Sequence, residues 1–496
     1  MIRIFLLAVA MLWMFAAGEI AWAQTLVSPA LQDPKPDQPA PPNVLTVSAM
    51  DQPDPLLRYR FWPAPEKRRS ENPAVLVSRA VMLSLQVRPE TRKEFVDRFN
   101  EWAEMSAKDL PVQEVRKVLD AHDSALRELQ RTENLMRLDY NIQLDQLSAS
   151  EMIQTLLPEF QEMRNLGRLL NLRARLAIAD GRWDDVIADC RLGFRLAEVA
   201  GHSTDFLVGR LVGFAISGTM LEVAKEAIQH AECPNLYWAL ASLPESRLFE
   251  TRDSIEFESV LISRMFETTD PLPDHPIGEV AARQQIREMS RQANLTMFYG
   301  FGKGKDRTES IQLLTGMYVV MMAEPSRDLL ASTPQWGERA KDLSAPEAVL
   351  RATQLKLART RDRWVAWSWL PPELWEEYKA EQRAAFDVNE SSSDLMESLV
   401  SMLTPAVNAA RLAGLRTHQQ RNWLLTIEAI RMHAASTDQL PTTIQKMRPV
   451  PAWSDAIAAK PFGYHRTSPT KATLTRAPRW NGDPETTFDI ELKGTE

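Results

Sequence analysis

Cysteine is almost missing from this chain: there are two in 496 residues, Cys190 and Cys233. So few thiols exclude a disulfide-stapled scaffold. Cys190 sits on an apolar helical stripe and reads as a small buried hydrophobe, and a bridge to Cys233 needs Cα atoms within ~7 Å. Glycine is sparse too, at 18 residues. The one glycine-rich stretch, YGFGKGK from Tyr299 to Lys305, lacks the G-x-x-x-x-G-K-[ST] spacing and follows no strand. It reads as a mobile basic loop rather than a phosphate cradle. None of the seven histidines falls in H-E-x-x-H or H-x-H spacing, so a zinc site has no support. There is no G-x-S-x-G, and neither cysteine has the surroundings of a nucleophile. Basic charge is not in excess: 58 basic against 66 acidic residues give a net of −8. Nucleic acid and anionic lipid are therefore not expected as partners. No cofactor and no metal site is implied.

What is present begins with an export signal over residues 1–23. Arg3 supplies a positive start, Ile4 to Ala17 is an uninterrupted apolar run, and Ala21-Trp22-Ala23 has small-x-small cleavage spacing. The apolar run is shorter than the ~20 residues of a membrane span, and no later run approaches that length. The expected product is exported to the periplasm or beyond. An uncleaved leader would instead leave an N-terminal membrane anchor.

Residues 24–56 follow as a proline-rich tether, expected to be extended and solvated. The next stretch, LRYRFWPAPEKRRSENPAVLVSRAVML, joins aromatic and basic residues, which reads as an extended lead-in plugging its aromatics onto the body. Residues 57–385 read as helical hairpins. In the clearest, Trp183, Val186, Ile187, Cys190, Phe194 and Ala197 recur on one helical face, and Gly181 stands where a helix must end in positive φ. Leu, Ala, Arg and Glu dominate the composition and favour helix. After a linker, DVNESSS at Asp387 to Ser393, residues 386–496 hold long helices and then a tail whose runs FGYHR, ATLTR and TFDIEL alternate like short strands. The expected fold is mainly α: an irregular helical-hairpin array, α-solenoid-like, closed by a small three-stranded β module.

Two constellations are candidates for function. Trp238, Trp364, Trp367 and Trp369 are candidate ligand-binding residues, because exposed indoles stack on sugar rings; the same cluster also suits a core where two helices meet at the Pro371-Pro372 break. Asp253, Glu256 and Glu258 are the best carboxylate group, usable in acid–base chemistry on glycosides and equally suited to a solvated helix face. The sequence favours a non-enzymatic exported scaffold binding a protein or cell-envelope component. A glycan-binding protein and a carboxylate hydrolase are the alternatives.

Residues Arg175 to Val199 resemble half of a tetratricopeptide repeat. Ala174, Gly181, Trp183 and Gly193 fall where that motif places small, turn, aromatic and small residues, and Val186 and Glu198 depart from it. The phrases LRYRFWP, ENPAVLVSRA, GRWDDVIADCRLGFRLAEVAG and CPNLYWALASLP are similar to those of uncharacterised exported helical (TPR-like) proteins of planctomycete bacteria. That resemblance implies a location and an architecture and brings no catalytic motif. The last part, IEAIRMHAASTDQLPTTIQ and PVPAWSDAIAAKPFGYHR, also resembles the helix-plus-small-sheet end of pseudopilins, without their N-terminal methylated helix.

Overall fold

In a computed structural model the described residues are 43–140, 149–203, 206–265, 272–297, 305–371, 374, 378, 380–381, 395–445, 447–478 and 486–493. The leader, the first part of the tether, most of the YGFGKGK stretch and the DVNESSS linker lie outside them. The tether does not stay free to residue 56. Asn43–Ser48 form a strand, β1, because NVLTVS alternates: Leu45 and Val47 are buried while Val44 remains exposed.

Four short helices follow: α1 (Ala74–Leu85), α2 (Pro89–Glu104), α3 (Val112–Ala121) and α4 (Asp123–Gln130). Phe61 and Trp62, from the aromatic lead-in, are buried in the main core. Phe61 lies 5.5 Å from Phe194, centroid to centroid. The lead-in is thus a plug onto the body, as its aromatic content suggested.

The centre is a three-helix stack: α5 (Ala149–Ala179), α6 (Trp183–His202) and α7 (Leu207–Ala227). Gly181 turns α5 into α6 at φ +69°, and the N–H of Arg182 reaches back to the Ala177 carbonyl at 2.9 Å. That is the left-handed stop only glycine adopts cheaply. Asp184 and Asp185 then stand in the first turn of α6, where their charge favours the helix dipole. Two glycines let α6 and α7 touch through their backbones. A Cβ on Gly213 would lie 2.7 Å from the Ala197 carbonyl oxygen, and one on Gly209 2.8 Å from that of Ala200. By length and hydropathy α7 alone, among the described helices, could cross a bilayer, yet most of it is buried. It is a core helix. Cys190 and Cys233 are both free and buried.

Beyond the stack run α8 (Tyr237–Ala241), α9 (Glu245–Leu248), α10 (Arg252–Met265), α11 (Glu279–Met297), α12 (Lys305–Ala331), α13 (Ala345–Ser368) and α14 (Leu395–Thr437). Helices α10 to α13 gather around a second apolar cluster of Ile255, Ile286, Leu350, Leu357 and Trp364. Helix α14 returns to the main core and carries Trp423, Leu424, Ile427 and Ile430 into it.

The C-terminal module is larger than the three expected strands. Strands β2 (Ser454–Asp455) and β3 (Lys460–Pro461) form a small ribbon. Strands β4 (Gly463–Ser468), β5 (Lys471–Arg476) and β6 (Thr486–Lys493) join β1 in a four-stranded sheet of order β1-β6-β5-β4. The pair β1–β6 is parallel, Asn43 opposite Phe488 and Ser48 opposite Lys493. A buried ion pair locks this junction. Arg431 and Glu428, both fully buried, meet at 2.8 Å. Arg431 also donates to the carbonyls of Ser48 at 3.0 Å and Cys233 at 2.8 Å, while its own carbonyl accepts from the Met50 N–H. A charge so enclosed is tolerated only with its hydrogen bonds satisfied.

Candidate functional site: a cleft between the helical body and the β module

The end of the helical core, the close of α13, the face of α14 and the loop before β2 enclose a cleft of about 790 Å³. Its far wall is the segment Pro451 to Asp455, held to the body by side chains. Tyr237 donates to the Pro451 carbonyl at 3.0 Å and accepts from the Trp453 indole at 3.0 Å. Asn422 donates to the Ser454 carbonyl at 3.0 Å, and Thr426 Oγ accepts the Trp453 N–H at 3.2 Å. The wall is therefore rigid, and Trp453 and Tyr237 present aromatic surface along it.

The floor is aromatic and charged. Behind it the buried Arg421 reaches Glu245 at 2.7 Å and lies over the Trp453 ring, 4.5 Å from its centroid. His418 stacks on Phe249 with centroids 5.3 Å apart, its Nε2 3.5 Å from Glu245. Burial lowers the affinity of Arg421 for its proton and brings that of Arg411 down to about 10, so Arg411 remains a cation at neutral pH. Asp455 accepts from Gln419 at 2.9 Å and from the N–H groups of Ile457 and Ala477 at 2.8 Å. These charges are committed to partners within the protein. The rim carries Trp369, 51% exposed, with the Arg252 guanidinium 5.6 Å from its ring centroid.

Glu250 and Arg252 also line a second, smaller cleft of about 420 Å³, with His202, Arg210, Arg247 and Asp253. Behind it Glu198, fully buried, pairs with Arg195 and Arg247. Arg210 donates to the Arg247 carbonyl at 2.8 Å and lies 2.6 Å from His202 Nε2. Burial and the adjacent Arg210 charge push the His202 ring down to about 4, which keeps it neutral at physiological pH.

Of the four candidate tryptophans, one reaches a cleft. Trp369 stands on the rim. Trp364 is buried in the second apolar cluster and Trp367 packs half-buried against it. Trp238 is half-buried against the main core, edge-on to Tyr237 at 5.1 Å. The core-forming role of such clusters, not a row of stacking platforms, accounts for three of the four. The three carboxylates have separate surroundings. Asp253 lines the smaller cleft, Glu256 is exposed, and Glu258 accepts the first N–H of α7, that of Leu207, at 3.4 Å. Burial holds the Glu258 carboxyl up to about 7.

Sequence reasoning missed Trp453, Asn422, Arg421, His418 and Phe249. Trp453 stands between prolines in a stretch without periodicity, and the α14 residues read as an ordinary helical pattern. Among the described residues no group of three or more His, Cys, Asp or Glu is placed to hold a metal ion. Comparison with family models, with curated proteins and with solved structures gives no match.

Proposed function

We propose that this is an exported, non-catalytic helical binding protein. It takes a segment of a protein or cell-envelope component into the cleft between its helical body and its β module. One observation carries this reading: three of the charged groups that line the cleft, Glu245, His418 and Asp455, are engaged with neighbouring side chains or with backbone. A general acid or nucleophile needs a proton or lone pair free for substrate. Here that capacity is spent on rigidity, which suits recognition.

The contacts of α5 with both α6 and α7 support a finer reading of the body as TPR-like hairpins in series. The leader sequence and the proline-rich composition that follows it support export. Glycan is the second reading, favoured by one feature, the exposed Trp369 ring under Arg252.

The test is retention on an envelope fraction by the chain lacking residues 1–23, set against Trp369→Ala and Asn422→Asp. The single-ring variant separates the two readings. Retention lost in Trp369→Ala and competed by soluble wall saccharides selects glycan. Retention lost in Asn422→Asp and insensitive to saccharides selects a protein segment. Equal retention of wild type and both variants refutes the cleft as the binding site.

A further inference from the structure

A third hollow, of about 290 Å³, opens where α2, the joint between α3 and α4, and α5 meet, and it shares no lining residue with either cleft. His122 stands at the joint and Glu162 on α5, with 2% and 5% of their surfaces exposed. The His122 Nδ1 lies 2.8 Å from the Val118 carbonyl. A carbonyl only accepts, so Nδ1 carries the ring proton and Nε2 keeps its lone pair. Nε2 has no partner among the described residues, and it is not sealed in the core, since the ring lines the hollow. Burial, the largest effect, lowers the affinity of the ring for a second proton, although the Val118 bond and the Glu162 charge raise it. Glu162 is the other unanswered group. Its oxygens accept from Ser84 Oγ and from Asn165 Nδ2, the latter at 3.2 Å, and neither donor is charged. Buried Glu198, Glu347 and Glu428 each face an arginine. Glu162 has no such cation against it among the described residues, and a carboxylate so enclosed is rarely left without one. Of the basic residues on the hollow, Arg92 donates to the Leu85 carbonyl at 2.9 Å, and Lys93 is exposed at the mouth together with Asp97.

We infer that this hollow binds a small primary ammonium compound, its charged head donating to His122 Nε2 and to the Glu162 carboxylate and its short apolar body lying on Phe95 and Val96. An ammonium carries three N–H donors on one atom, and it brings the counter-charge that Glu162 lacks. Asp97, His122 and Glu162 line the same hollow but are not placed to hold one metal ion between them. An organic cation, whose donors point apart, meets the two inner groups without needing the third. Phe95 and Val96 supply the apolar contact, and a space of this size holds a head group and a few carbons. The mouth carries both signs, Lys93 and Asp97, so selection rests on the buried end.

Isothermal titration calorimetry of the full chain with isopentylammonium chloride near pH 8 tests this, with isopentanol and isovalerate as the uncharged and anionic counterparts. The amine is expected to bind with a Kd between about 10 µM and about 1 mM, and the other two to give no heat of binding. Glu162→Gln removes the charge at nearly constant shape. It should keep the wild-type circular dichroism and weaken the amine by at least about tenfold. The comparison of the three probes on wild type decides the matter without that variant, should it fail to fold. Absence of binding by the amine at about 10 mM overturns the inference. So does equal binding of isopentanol or isovalerate, or an affinity for the amine that a folded Glu162→Gln leaves unchanged.

Discussion

Replacing Gly213 by alanine tests the central crossing most sharply, because the same substitution five residues along has the opposite expected sign. At Gly213 the added methyl would lie 2.7 Å from the Ala197 carbonyl oxygen and 3.2 Å from the Gly201 Cα. Comfortable carbon contacts begin near ~3.5 Å, so α6 and α7 must part by more than half an ångström. Both obstacles are backbone and cannot rotate away. A gap of about 0.5–1 Å forfeits a quarter to a half of each dispersion contact along the seam. Overpacking of this kind costs about 1–3 kcal/mol, and a clash with backbone belongs at the upper end. Alanine returns about 1 kcal/mol of helix propensity, leaving a net loss of about 2 kcal/mol. At Gly218 a Cβ meets nothing within 4 Å, so only the propensity gain remains, about 1 kcal/mol. Urea unfolding followed at 222 nm should separate the two variants by about 3 kcal/mol, on either side of wild type. The double variant Gly209→Ala with Gly213→Ala should lose less than the sum, since one opening of the seam accommodates both methyls. Equal stability of Gly213→Ala and Gly218→Ala would refute the close-crossing argument.

Further outcomes follow from the buried charges and thiols. Glu258 titrates near 7 in the fold against 4.5 when solvated. Its folded pKa is raised, so the unfolded chain ionises first and stability falls as pH rises from about 4.5 to about 7, then levels off. Glu258→Gln should remove that slope and add about 3 kcal/mol at pH 8; an unchanged difference between pH 5 and pH 8 would sink the assignment. Arg431→Met leaves fully buried Glu428 without its counter-ion and should cost about 3–5 kcal/mol. Adding Glu428→Gln should restore most of it, which a double-mutant cycle reads directly. Burial raises the Cys190 thiol well above its usual range and that of Cys233 to about 12, against the opposing pull of Arg431. A disulfide reagent at pH 8 should find no reactive thiol in the native protein and two after unfolding.

The sequence made some of this legible and hid the rest for identifiable reasons. The α5–α6 hairpin could be read because its signals are local: an apolar stripe from Trp183 to Ala197 and a glycine forced to positive φ. The same held for Phe61 and Trp62, whose burial follows from bulk and apolarity. Strand β1 was hidden because NVLTVS lies among prolines and its partner is β6, more than 400 residues away; six residues with no local pairing carry no hairpin signature. The cleft was hidden likewise. Its wall is a proline-punctuated segment shaped by Tyr237, Asn422 and Thr426, and only folding brings these beside Trp453. Trp369 was found, but with three tryptophans of the same outward pattern that the fold turns inward or half inward.

The parallel seat of β1 beside β6 has a consequence for biosynthesis. A ribosome delivers Ser48 long before Arg431, which is 383 residues further on and clasps it. Throughout that interval the first strand has no ladder to join, whatever the helices between have already achieved. Closing so long a loop costs little more than closing one half its length, so the delay is one of timing rather than of equilibrium. The docking of β1 must wait for β6, and a chain stalled short of β6 would leave β1 unclasped and open to a protease.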